Sequence, residues 1–118
     1  LAVGRMLEAV MTDAVLSPPG CQRLRDRLLR LLDLSARAAD PENQVDGFLG
    51  EGLPQDAGLW SKAGWMSQAR HDAAWWKQPD GPPMLLVAFG SGSDRAQDER
   101  LLPDLARALC DFIPPEES

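Results

Sequence analysis

Three strand-length runs lie close together in the second half of the chain: Leu59 to about Met66, Arg70 to Trp76, and Met84 to Phe89. The links between them are too short for a crossover connection, so the runs must pair as an antiparallel meander. The second link contains Gln78-Pro79-Asp80-Gly81, a turn in which proline fixes φ and glycine permits φ > 0. Met84 to Phe89 is almost wholly apolar, the pattern of a strand covered on both faces. Such a sheet needs helices to cover it, and the flanking sequence supplies them. Val3, Met6, Leu7, Val10 and Met11 repeat along one helical face, which predicts a helix from Leu1 to about Val15. Ser17-Pro18 suits an N-cap and first turn. A second helix is expected from Cys21 to about Ala38, with Leu24, Leu28, Leu31 and Leu32 as its apolar stripe.

Asp40 to Asp56 carries Pro41, Gly47, Gly50, Gly52 and Pro54 and reads as a loop, with a short turn near Phe48-Leu49. Gly90-Ser91-Gly92-Ser93 breaks the sheet. A final helix follows, with Leu102, Leu105, Ala106, Leu109 and Phe112 facing inward and Pro103 in the first turn. Pro114-Pro115 ends it. The expected fold is α+β: a three-stranded antiparallel meander packed with two N-terminal helices and one C-terminal helix. Residues 1–118 are expected to form a single domain unit, with 114–118 a frayed tail.

The formal net charge of −6 argues against nucleic acid, whose phosphates call for a basic surplus. Arg23, Arg25, Arg27 and Arg30 cluster on the second helix and form its solvated face. One histidine and two cysteines without CxxC spacing make a zinc site improbable. No apolar run approaches the roughly 20 residues that span a bilayer. Cys21 and Cys110 are enough for one disulfide, but spacing does not show that they meet. The chain opens on Leu1 rather than methionine, so the lack of a leader says nothing of its compartment.

Several short motifs then arrive in a recognisable order. Gly52-Leu53-Pro54 precedes the first strand, Ser61-Lys62-Ala63-Gly64-Trp65 lies on it, and His71-Asp72-Ala73-Ala74 lies on the next. Gln78-Pro79-Asp80-Gly81, the apolar strand Leu85 to Phe89 and Gln97-Asp98-Glu99-Arg100 follow, while Leu16-Ser17-Pro18 separates the two helices. This order resembles the C-terminal part of class A β-lactamases and related serine hydrolases, including the penicillin-binding-protein-like members. Each motif is weak alone; their order and spacing carry the resemblance. It spans most of this chain but about two-fifths of a typical family domain, and so implies that residues 1–118 are a single partial domain built as in the family's α/β subdomain.

The resemblance implies an acyl-enzyme mechanism on a β-lactam or other amide or ester. It needs a serine in S-x-x-K, an S-D-N loop and a lysine-bearing strand. This chain has neither of the first two; Ser93-Asp94 is followed by Arg95 and lies after the third strand. The expectation is therefore that the nucleophile and its base lie outside these residues. Lys62 would act electrostatically; the plainer reading is a surface lysine guarding an edge strand. The Trp65 backbone amide would help form the oxyanion hole, its indole lining the cleft or simply packing. Ser61, Ala63, Gly64 and Arg70 would contact substrate. Ala63 departs from the family's threonine or serine, which puts β-lactam recognition in doubt and favours a different ester or amide. Arg70 would reach a substrate carboxylate or be an ordinary strand-end arginine.

His71 and Asp72 look like triad members beside Ser61, but strand neighbours point to opposite faces, so both cannot serve one site. Of Trp75 and Trp76, one should be core and one covering. Neither residues nor resemblance call for a cofactor or metal. The expected partners are a missing N-terminal part of the same domain or another copy of the chain, together with the small amide or ester substrate. The alternative is a non-catalytic interaction or dimerisation module. The family suggests a periplasmic or secreted setting.

Overall fold

The structure is a computed structural model that describes residues 2–112. The meander forms where the sequence places it: β2 (Gly58–Met66), β3 (Ala69–Lys77) and β4 (Pro83–Ser91) pair antiparallel in order. A fourth strand, β1 (Leu29–Arg30), adds to the outer edge of β2, with Arg30 opposite Leu59. Among the described residues the sheet therefore has four strands rather than three. The turn after β3 closes with Gly81 N–H donating to Gln78 O at 3.1 Å. Gly81 does not use the left-handed φ that glycine allows.

Two helical boundaries differ from expectation, the first for a local reason and the second for a tertiary one. α1 runs Ala2–Met11 and stops short of Val15, because Asp13 turns to a left-handed φ of 59°. α2 (Pro18–Leu28) starts as expected, with Ser17 Oγ accepting Gly20 N–H at 3.2 Å. It ends ten residues early for a reason the leucine spacing hides. Leu29 takes an extended conformation, Arg30 pairs with β2, and Leu32 turns into the core while Leu31 stays exposed. Asp33 then caps a separate short helix, α3 (Leu34–Ala39), accepting Ala36 N–H.

Leu49–Gly52 forms a 3-10 turn, and Ser93–Ala96 (α4) leads into α5 (Leu101–Phe112). Pro103 sits in the first turn of α5, as its missing amide requires. Leu102 and Ala106 face inward, but Leu105 and Phe112 are exposed. The expected tail at 114–118 lies outside the described residues.

The two faces of the sheet have different fates. Leu59 and Ala74 pack with Trp76, Leu49, Val45, Leu32, Leu102 and Ala106 as one continuous core. Gly52 lets the 3-10 turn press on α5: a Cβ there would stand 2.0 Å from Pro103 O. The opposite face meets α1, whose Gly4 approaches Leu85 and Val87. β4 is thus approached from both faces, though Phe89 remains exposed at its end. Cys21 and Cys110 are both free thiols, so no disulfide joins them.

Candidate active site at the β2 edge

β1 covers only the first part of the outer edge of β2. Beyond it, side chains take over. Arg30 Nε and Nη2 donate to Ser61 O at 3.2 and 2.7 Å. Gln44 Oε1 accepts Ala63 N–H at 2.8 Å, and Lys62 Nζ donates to Ala63 O. Backbone groups on a strand alternate between its two edges. Ser61 and Ala63 aim theirs at this edge, so Trp65 aims its N–H and C=O the same way.

A cleft of 450 Å3 lies against this edge, lined by Ala63, Gly64, Trp65 and Arg70 on the sheet side and by Gln44 and Phe48 opposite. Glu42, Asp46 and Glu99 also line it. The facing loop is built around Asn43. Its Oδ1 accepts Val45 and Asp46 N–H at 3.0 and 2.8 Å, and its Nδ2 donates to Arg37 O and Asp40 O. Arg37 Nε donates to Asp46 Oδ1 at 2.8 Å, and Val45 is buried in the core. Gln44 is therefore held by its two neighbours.

Arg70 is 4% exposed and works as a clamp. Its Nε donates to Ala96 O at 2.9 Å and its Nη1 to Gly47 O at 3.0 Å. The guanidinium lies 5.1 Å from the Phe48 ring centre and 5.5 Å from that of Trp65, within cation–π range. Trp65 Nε1 shares Ala96 O, at 2.8 Å. Gly47 adopts a φ of 81°, and a Cβ there would come 3.1 Å from Arg70 Nη1. The strand end, the loop and α4 thus meet on one arginine.

Lys62 points to the opposite face. Its side chain lines an apolar groove of 410 Å3 formed with Val3, Met6, Leu7, Val10, Leu28 and Ala73. Its ammonium donates only to neutral oxygens, Ala63 O and, at 3.5 Å, Gln44 Oε1. Among the described residues no carboxylate forms an ion pair with it. Gly64 lies on the same side, and a Cβ there would meet nothing within 4 Å.

Beneath the strand, Ser61 and Asp72 share the core face while His71 turns to the other, where it meets Phe89 edge-on at 4.9 Å. Asp72 Oδ2 accepts Leu49 N–H at 3.0 Å, but Asp72 Oδ1 and Ser61 Oγ have no hydrogen-bond partner among the described residues. Burial pushes the Asp72 carboxyl up to about 6, against the pull of the Leu49 and Ala73 amides and of Arg30 and Lys62. An acid whose folded pKa is raised costs stability as pH rises. Below about 4 both folded and unfolded chains keep the proton; between about 4 and 6 the unfolded chain releases it first; above 6 the loss is complete. The full difference is about 3 kcal/mol. Asp72→Asn keeps an acceptor for Leu49 N–H and removes the ionisation. We expect its urea midpoint to exceed that of the native sequence above pH 6 and the gap to close by about pH 4.

The sequence profile described as the Beta-lactamase enzyme family matches residues 2–113. The chain belongs to the β-lactamase enzyme family. No protein of curated function matches it in sequence. The Streptomyces albus G β-lactamase is similar in fold, with a TM-score of 0.75 and 22% identity over 96% of this chain and 40% of that one. The class A β-lactamase described as the last common ancestor of Gram-negative bacteria matches at a TM-score of 0.71 and 25% identity, over 94% and 40%. The structure of PBP-A matches at 0.71 and 16%, over 92% and 37%. This β-lactamase-family chain therefore spans about 40% of the length of the structures it matches.

Of the residues singled out in the sequence, Ala63, Gly64, Trp65 and Arg70 meet at one cleft. Lys62 lies beside it, facing the groove. Ser61 is fully buried, so its hydroxyl is not presented to either. The arginine cluster divides: Arg23 and Arg27 are solvated, whereas Arg25 binds Asp13 and Val10 O, and Arg30 holds the β2 edge. Sequence inspection missed Gln44, Phe48 and Arg30. Only the Asn-x-x-Asp spacing of the loop and the capping Asp33 carried a local signal for them.

Proposed function

We propose that these residues form the C-terminal part of a β-lactamase-type serine hydrolase whose nucleophile and general base lie outside them. In the reaction, a serine hydroxyl attacks an amide or ester carbonyl, and its proton passes through the base to the leaving amine or alcohol. Water then hydrolyses the acyl-serine. The Trp65 N–H donates to the oxyanion that develops on the carbonyl, and the Lys62 ammonium stabilises negative charge at the serine side. The observation that carries this reading is Lys62, a cation with only neutral hydrogen-bond partners among the described residues, set between an apolar groove and the free end of β2. The N-terminal part of the same domain would cover the groove and bring the serine to it.

The loss of a hydroxyl at Ala63, and the carboxylates of Glu42, Asp46 and Glu99 around the cleft, favour an uncharged amide or ester over a carboxylate-bearing β-lactam. The test is rapid-mixing kinetics on the whole protein with a chromogenic ester and a chromogenic β-lactam. A burst of one leaving group per active site supports the proposal; a linear trace no faster than buffer with either compound contradicts it.

A second reading, a non-catalytic interaction or dimerisation module, draws on exposed Met6, Leu29, Met66 and Phe89. It requires association without any covalent adduct.

A further inference from the structure

The outer edge of β2 is closed by side chains in a particular way. A strand edge that binds an extended ligand offers alternate N–H and C=O groups to the ligand's main chain. Here Ser61 O is taken by Arg30, Ala63 O by Lys62 and Ala63 N–H by Gln44. Gln44 stands where the carbonyl of an added strand would stand, at an ordinary amide distance of 2.8 Å. The same oxygen is also 3.3 Å from Arg30 Nη2 and 3.5 Å from Lys62 Nζ, so it gathers donors from two strands. Asn43 and buried Val45 on either side fix its position. Trp65 is the next residue whose main chain faces this edge, and Ala63, Trp65 and Gln44 all line the cleft.

We infer that Gln44 is a specificity-determining residue: its carboxamide fills the main-chain docking place at Ala63 and leaves only Trp65 to hold a ligand's backbone. The inference rests on the hydrolase reading above and narrows it to compact acyl donors. An extended peptidyl donor must displace Gln44 to pair along the edge, whereas a short ester reaches Trp65 without doing so. Removing the side chain exposes the Ala63 N–H, worth about one hydrogen bond, or roughly a tenfold change in discrimination. Glutamate at the same place keeps an acceptor and should keep the edge closed; its charge beside Lys62 would slow both esters alike and leave their ratio in place.

The experiment compares the whole protein with its Gln44→Ala and Gln44→Glu variants. One readout is the ratio of kcat/KM for an acyl-dipeptide ester to that for an acetyl ester with the same leaving group. The other is hydrogen exchange at the Ala63 amide. We expect Gln44→Ala to raise the ratio about tenfold and speed Ala63 exchange, with Gln44→Glu close to the native sequence in both. An unchanged ratio, or an Ala63 amide equally protected in Gln44→Ala, overturns the inference. If the native protein turns over neither ester, the hydrolase reading fails, and with it the role in substrate selection. The exchange readout then still decides whether Gln44 closes the edge.

Discussion

Lys62→Ala in the whole protein is expected to slow acylation by about 10²–10³-fold, the usual effect of removing one preorganised electrostatic group from a reacting centre. The physical reason lies in what Lys62 lacks. Its ammonium has neutral oxygens as hydrogen-bond partners and no carboxylate ion pair among the described residues, so no salt bridge there neutralises its charge. An ordinary exposed lysine loses almost nothing on replacement. Lys62→Arg separates the terms: charge is retained, but the planar guanidinium does not reproduce the compact ammonium. We expect it to recover part of the rate. Single-turnover acylation, with the urea midpoint as a folding control, checks both. A Lys62→Ala protein that acylates within about twofold of the native rate would place Lys62 among ordinary edge lysines.

Trp76→Ala is expected to cost about 3–5 kcal/mol of stability, against far less for Trp75→Ala. The two are neighbours on β3, but only Trp76 points into the core, where it is 1% exposed against Leu59, Leu49 and Leu102. Trp75 is half-buried on the other face. Trp76 Nε1 has no hydrogen-bond partner among the described residues, so Trp76→Phe loses volume but no polar contact there and should cost less than the alanine. Denaturant unfolding of the three variants checks the order. Equal losses at 75 and 76 would mean that the strand's facing is wrong.

The sheet was legible because its signals are local. Apolar runs of strand length, short links and a Pro-Asp-Gly turn need no distant partner to be read, and β2, β3 and β4 match expectation within a residue or two. The leucine-rich helix was misread because Leu28, Leu31 and Leu32 fit a helical stripe as well as they fit a helix end followed by extended chain. What decides between them is tertiary: Arg30 reaching Ser61 O, and Leu32 entering the core. Asp33, a capping residue inside the expected helix, was the one local hint. The cleft was half legible. Its sheet side came from motif order, but its loop side did not, because Gln44 meets Ala63 across nineteen residues of chain and a glutamine in a polar loop carries no period. Ser61 shows the reverse error, a residue inside the motif whose side chain the strand's alternation sends into the core.

The most direct test treats the whole protein with an acylating serine probe, takes its intact mass, and maps any adduct by peptide sequencing. A single adduct on a serine beyond these 118 residues, lost on mutation of that serine and slowed by Lys62→Ala, is the predicted result. Failure to form any adduct, or an adduct on a hydroxyl within the chain, contradicts the claim that the Lys62 strand is one wall of a site completed from elsewhere.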